Sequence, residues 1–303
     1  MAANTLVSDI NEILVGYFLN NKKWYDNEAK AQYNARVKQI TPADLERATA
    51  HAKVMASEFL KYAKTKKYGD KVIGVYWTAR KGSMSQLVGV EVDQTKNTTD
   101  TLIRFNSGPS DGWLGLSAKS TKGQGEIGFK NPGVGVIDRL LGTNIVANYK
   151  KKLEPIVKKL KLPPTDSARK THIRGNPVIK KITEEHGIKM LSEMRDELYI
   201  KLNKMKPKEL YAHCMEEWLN ANIMFPPYVK ITGKGNKLPY SATIQDPTKN
   251  EKNDAMATLK FKLEKVGNES IGIMANNKKV FKMRFKFESE KLASSLKMSG
   301  ESW

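Results

Sequence analysis

Residues 98–133 read TTDTLIRFNSGPSDGWLGLSAKSTKGQGEIGFKNPG, and this stretch decides how the rest of the chain is understood. Asp100 opens a run, TLIRF, whose branched and aromatic residues predict a strand. Gly108, Pro109, Ser110, Asp111 and Gly112 predict a turn. A second strand is predicted from about Trp113 to Ser120. Side chains alternate along a strand, so Trp113, Ser117 and Lys119 share one face and Leu114, Leu116 and Ala118 the other. A lysine is thereby set beside the acid that opens the neighbouring strand. The loop that follows carries Gly123, Gly125 and Gly128 with Lys122 and Lys130. Such a loop lets backbone N–H groups approach phosphate, and it predicts a face turned to nucleic acid. It is not a Walker A loop, because no GKS or GKT completes it.

Towards the N-terminus, Leu6, Ile10, Ile13, Leu14, Tyr17 and Phe18 have helical spacing. A second helix is predicted over Asp26 to Ile40. A third starts at Thr41, a cap residue followed by Pro42, with Asp44 and Glu46 favouring the helix dipole. It runs to Lys66 with Leu45, Ala48, Ala52, Met55, Phe59 and Tyr62 on its buried side. Residues 71–79, KVIGVYWTA, read as a buried strand, and 87–92 as a short strand or a loop.

Towards the C-terminus, one or two helices with a basic face follow Gly133, among them the run Lys150, Lys151, Lys152. Residues 162–166 (LPPTD) break the pattern and suggest a linker. Helices are predicted over 177–204 and 207–223. The last eighty or so residues alternate apolar and polar positions between turns, which predicts an antiparallel sheet. In KMRFKF, Lys282, Arg284 and Lys286 lie on one side and Met283, Phe285 and Phe287 on the other, as in a strand with a core behind it and a polyanion in front.

The 303 residues are 40% hydrophobic and carry 52 Lys and Arg against 32 Asp and Glu, a net charge of +20. That balance attracts polyanions, nucleic acid first and acidic membrane surfaces second. One cysteine, Cys214, excludes an internal disulfide and a cysteine zinc site. The four histidines show no metal-ligand spacing. The N-terminus lacks the charge pattern of a signal peptide, and no run of about 18 apolar residues exists. The expectation is a soluble protein of the cytoplasm of a bacterial or virus-infected cell, or one packed in a virion, with no membrane partner.

Nucleases that use a divalent metal need carboxylates, because Mg²⁺ prefers oxygen ligands. They gain from a lysine near the attacking water or the phosphate. Asp100 on one strand and Ser117-Ala118-Lys119 on the next resemble the paired-strand site of the PD-(D/E)xK nuclease superfamily, which includes many restriction endonucleases, phage exonucleases and resolvases. The phrase LGLSAKSTKGQGEIGFKNPG is also similar to a Ser-x-Lys subgroup among phage and virus proteins. The resemblance covers roughly residues 42–150. It departs from the family pattern twice, with Thr99 in place of proline and Ser117 in place of an acid.

The resemblance implies an α/β (α+β) protein with a restriction-endonuclease-like αβββα core and a helical and antiparallel β-rich C-terminal part. It divides the chain into N-terminal helices (1–41), the core (42–162), a helical region (163–225) and a β-rich region (226–303) that completes the core or contacts DNA. It implies a Mg²⁺-dependent DNA endonuclease, with Mn²⁺ able to substitute, and admits a homodimer. Asp100, Ser117 and Lys119 are the implied catalytic residues. Asp100 and the Ala118 carbonyl are the implied metal ligands. The acid that replaces Ser117 is Glu126, Asp138, Glu58 or Glu91. Lys122, Lys130, Lys150, Lys151, Lys152 and Arg284 are the expected DNA contacts. A non-enzymatic nucleic-acid-binding or structural viral protein on a degenerate nuclease fold is the alternative.

Overall fold

A computed structural model describes residues 3–80, 82–94, 96–124, 130–221, 225–293 and 295–303. The chain is mixed α/β with two sheets. By internal packing it divides into two units, residues 1–127 with 220–250, and residues 128–219 with 251–303. Among the described residues no helix is long and apolar enough to cross a membrane.

The first unit begins with α1 (Ala3–Leu19), whose Val7, Ile10 and Leu14 are buried. Helix α2 (Asn27–Val37) starts where the Asp26 carboxylate accepts the Ala29 N–H at 2.9 Å. Helix α3 (Pro42–Thr65) starts where the Thr41 hydroxyl accepts the Asp44 N–H at 3.2 Å. Strand β1 (Val72–Trp77), helix α4 (Ser83–Val88), strand β2 (Thr101–Phe105) and strand β3 (Trp113–Thr121) follow. Strands β2 and β3 are joined through a 3₁₀ turn at Ser110–Gly112. Gly112 has φ 77°, and a Cβ there would stand 2.5 Å from the Phe105 carbonyl oxygen, so the tight return into β3 requires glycine.

The second unit opens with α5 (Val134–Leu141), α6 (Ile145–Lys159), α7 (Asp166–Arg174), α8 (Pro177–Asn203) and α9 (Pro207–His213). A π-helical turn over Cys214–Trp218 ends this run. The chain then returns to the first unit with β4 (Tyr228–Lys234) and β5 (Ser241–Gln245). It closes the second unit with α10 (Glu251–Ala257), β6 (Phe261–Val266), β7 (Ser270–Ala275), β8 (Lys278–Phe287) and β9 (Leu296–Ser302).

The first sheet has the order β1-β2-β3-β4-β5. Every pair is antiparallel except β3 with β4, which run parallel with Ser117 opposite Lys230 and Ala118 opposite Ile231. Leu114, Leu116, Ala118, Val229 and Ile231 form the sheet side of a core that Ile10 and Leu14 of α1 and Met55 and Phe59 of α3 complete. Phe59 and Leu116 are fully buried, each contributing roughly 1.5–3 kcal/mol. The second sheet, β6-β7-β8-β9, is an antiparallel meander with α8 against it.

Several expectations change. The last eighty residues do not make one antiparallel sheet: β4 and β5 join the first sheet, and only β6 to β9 form the second. β4 is buried along its whole length, as parallel strands covered on both faces are, so alternation was a poor guide there. Residues 87–92 form no strand, since α4 runs into them and stops at Gly89. The helix expected over 207–223 gives way to the π-helical turn, and β9 lies in a segment that had not been read as a strand. The boundaries expected at 41, 162 and 225 came with the resemblance. Packing instead joins α1 and α2 to the first sheet and splits the C-terminal strands between the units.

Candidate active site

Asp100 sits at the mouth of β2. Its N–H donates to the Leu116 carbonyl at 2.9 Å, and its own carbonyl accepts the Thr78 N–H at 3.3 Å. The preceding residues are fixed as well. The Asn97 side-chain oxygen accepts from the Thr99 hydroxyl (2.6 Å) and N–H (3.2 Å), while the Asn97 amide donates to the Pro226 carbonyl at 2.9 Å. Thr99 therefore anchors the strand entry with its hydroxyl.

Pairing between β2 and β3 ends at Thr101 and Leu116, so the next residues of β3 have no strand on that edge. The Asp100 side chain fills the gap. Its Oδ2 accepts the Ala118 N–H at 2.8 Å, the Ser117 hydroxyl at 3.2 Å and the Lys119 ammonium at 3.0 Å. A strand residue points its N–H and C=O to the same edge, so the Ala118 carbonyl faces the same gap as its N–H. Among the described residues, the hydrogen bonds to the Asp100 side chain fall on Oδ2.

The second carboxylate is Glu12, from α1. Its Oε1 lies 3.3 Å from Lys119 Nζ. Burial, followed by the charge of Asp100, pushes the Glu12 carboxyl up to about 7, with Lys119 pulling the other way. The two acids in turn hold the Lys119 ammonium above its ordinary value against the effect of burial. Glu12 escaped the sequence reading because it lies in an apolar helix outside the stretch that carries the motif. The one available signal was an acid between Asn11 and Ile13 in the middle of a buried helical face.

Of the four acids expected to join Asp100, Glu58 pairs with Lys61 on α3 at 2.7 Å. Glu91 is exposed after α4. Asp138 belongs to the second unit, where it caps α6: its oxygens accept the N–H groups of Ile145 and Val146, both at 2.9 Å, and the Thr143 hydroxyl at 2.6 Å. Glu126 lies outside the described residues. Among the described residues neither Glu58 nor Glu91 contacts Asp100, Ser117 or Lys119, and the acid that does share Lys119 is Glu12.

The expected DNA contacts separate in the same way. Lys122, Lys150 and Lys151 are exposed. Lys130 is held by Glu217 at 3.1 Å and by the Glu216 carbonyl at 3.4 Å, and Lys152 by Glu193 at 2.6 Å. Arg284 lies between Glu269 (2.6 Å) and Glu301 (3.2 Å), and Lys282 lies 3.6 Å from Glu301, so this face of β8 is an internal charge network.

Two further groups adjoin the site. Lys230, opposite Ser117 in β4, is fully buried. His51 of α3 has Nε2 3.0 Å from the Gly235 carbonyl and Nδ1 2.8 Å from the Ser120 hydroxyl. A carbonyl only accepts, so Nε2 carries the proton and neutral Nδ1 accepts from Ser120. Burial holds this imidazole below its ordinary pKa.

The donor set can be tested against a divalent cation. It is all oxygen: Asp100 Oδ1, the Glu12 carboxylate and the Ala118 carbonyl. The point between the two acids already holds a positive charge, the Lys119 ammonium. Among the described residues no group of three or more His, Cys, Asp and Glu side chains could hold a metal. Two carboxylates with water and substrate oxygens fit Mg²⁺, which is seldom caged by protein alone. The chain matches no known family model, no curated protein and no solved structure.

Proposed function

We propose that the protein is a divalent-metal-dependent nuclease that hydrolyses DNA phosphodiester bonds as an endonuclease. The observation that carries this reading is the convergence of Glu12 and Asp100 on Lys119 at the open edge of β3, with the Ala118 N–H holding the Asp100 carboxylate. The element order also supports a restriction-endonuclease-like core: a helix, an antiparallel β1-β2-β3 meander, and a later strand added parallel to β3. The net charge of +20 supplies attraction to a polyanion.

Asp100 Oδ1, Glu12 and the Ala118 carbonyl would hold Mg²⁺ or Mn²⁺. When bound, the ion supplies a more acidic water and neutralises charge on the phosphate. Asp100 is oriented for this by Ser117 and by the Ala118 N–H, which fix Oδ2. Ser117 thus stands where the family has an acid and serves as a donor to the other acid, while Glu12 provides the second negative charge. Lys119, at the open edge of β3 beside both acids, would donate to a phosphate oxygen or orient the attacking water.

A second reading, a nucleic-acid-binding protein without catalysis, is favoured by one observation. Lys119 already satisfies both acids, so the cluster is a complete ion network by itself. Incubation of the protein with plasmid, linear, single-stranded and RNA substrates, with Mg²⁺ or with EDTA, separates the two. Cutting in Mg²⁺ that EDTA abolishes supports the nuclease, and binding without cutting under every condition supports the binder.

A further inference from the structure

The first unit contains a cavity of about 420 Å³ lined by Tyr25, Tyr76, Trp77, Arg80, Ser83 and Gln86 among others. Two of its lining residues neighbour segments that carry the acid cluster. Trp77 stands opposite Thr101, the residue after Asp100, in the β1–β2 pair. Tyr25 donates its hydroxyl to the Ile13 carbonyl at 3.2 Å, one residue from Glu12. The charges of Glu12 and Asp100 both reach the Tyr25 hydroxyl, whose pKa burial already raises.

The walls favour a flat, weakly polar guest over an anion. Three of them are aromatic, and the Tyr76 ring is braced against Trp113 with centroids 5.7 Å apart. The one cation among the described lining residues, Arg80, is balanced by Asp26 at 2.6 Å and Glu28 at 3.6 Å. Gln86 offers an amide, which both donates and accepts as a base edge requires, and the Ser83 hydroxyl, whose proton is held by the Arg80 carbonyl at 2.7 Å, can still accept. The volume is near the low end of the roughly 300–1,000 Å³ usual for small-molecule sites, so it holds one nucleoside and not a duplex. A base stacked in a duplex has both faces covered, so only an unpaired one can enter such a recess.

We propose that this cavity is a nucleobase subsite that takes one unpaired base, stacked on its aromatic walls, from a strand whose neighbouring phosphate lies at Asp100 and Lys119. The placement of the phosphate rests on the nuclease reading. The capture of the base does not.

The test uses the full chain in EDTA, where no cleavage is needed. The probes are a short single-stranded DNA carrying 2-aminopurine, the same strand in a duplex, and an abasic strand with the same phosphates. The single strand is expected to bind at least tenfold more tightly than the duplex or the abasic strand, with quenched 2-aminopurine fluorescence. Trp77→Ala is expected to weaken single-strand binding by about five- to a hundredfold, the range for loss of one base-stacking contact, and Trp77→Phe to stay within about threefold. Gln86→Ala, at an exposed position on α4, leaves the core untouched and is expected to weaken it severalfold. Equal binding of the single strand and the abasic strand overturns the subsite, as does wild-type affinity in both Trp77→Ala and Gln86→Ala. Base binding without cutting in Mg²⁺ fails the nuclease reading alone, and cutting without base discrimination fails the subsite alone.

Discussion

Glu12 Oε1 and Lys119 Nζ lie 3.3 Å apart although 107 positions separate them in the chain. Because the same ammonium is 3.0 Å from Asp100 Oδ2, one lysine holds two carboxylates together. Removing Lys119 leaves two carboxylates facing each other without a counter-charge, while removing either acid takes away half of the pairing that holds the lysine.

Glu12→Gln, Asp100→Asn and Lys119→Ala are each expected to lower DNA cleavage at least a hundredfold, the scale of a lost charge-stabilising group. All three variants should still bind DNA in EDTA. Wild-type cutting by Glu12→Gln would remove Glu12 from the site.

Glu12 also sets a pH dependence of stability. Its folded-state pKa of about 7 lies above the ordinary 4.5, so the fold prefers the protonated acid. The stability it contributes is fully present below about 4.5 and is lost as the pH rises through 7. Denaturant unfolding at pH 5 and pH 8 should show the wild type losing on the order of 2 kcal/mol more than Glu12→Gln. Parallel losses in the two proteins count against the buried acid.

His51 acts with the opposite sign. Its pKa is lowered in the fold, so its contribution is present above about 6.5, the usual imidazole value, and is lost as the pH falls through the lowered one. Unfolding between pH 7 and pH 5 should be steeper in the wild type than in His51→Gln. The substitution also removes a bond to Ser120 or Gly235, so the comparison is of slopes and not of absolute stability.

Asp138→Ala should cost about 1–2 kcal/mol, as for loss of a helix cap, because its carboxylate satisfies two N–H groups at the start of α6. DNA cleavage should be unchanged in the folded fraction. Loss of cleavage without loss of stability would return Asp138 to the list of metal ligands.

Arg284→Ala should leave DNA affinity within about twofold and reduce stability by about 0.5–1 kcal/mol, the value of a partly exposed ion pair, since Glu269 and Glu301 already hold the guanidinium. A tenfold fall in affinity together with a shallower salt dependence would show the residue facing phosphate.

The start of α3 was legible because Thr41-Pro42 is a local signal, and the turn at 108–112 because glycine and proline fix backbone angles. The closeness of Asp100, Ser117 and Lys119 followed from strand alternation alone. Glu12 was not legible, because nothing in the spacing of a helix near the N-terminus tells which strand it will cross. The strand at 228–233 was legible but its place in the first sheet was not, because its parallel partner β3 lies across residues 128–219. The acids beside Arg284 on β8 were not legible, because the charge pattern of one strand does not reveal that Glu269 and Glu301 sit opposite.

The parallel pairing of β3 with β4 has a consequence for synthesis. All three members of the Glu12–Asp100–Lys119 cluster leave the ribosome well before β4 does, since the chain of the second unit from residue 128 to 219 must be made in between. At translation speeds of about 5–20 residues per second, the β3 edge that β4 will cover waits some seconds for its neighbour. During that interval the nascent sheet carries the acids and the lysine but not the strand that holds them in register. A chain arrested before residue 228 therefore has every residue of the cluster but not the strand that pairs with β3 from Gly115 to Thr121.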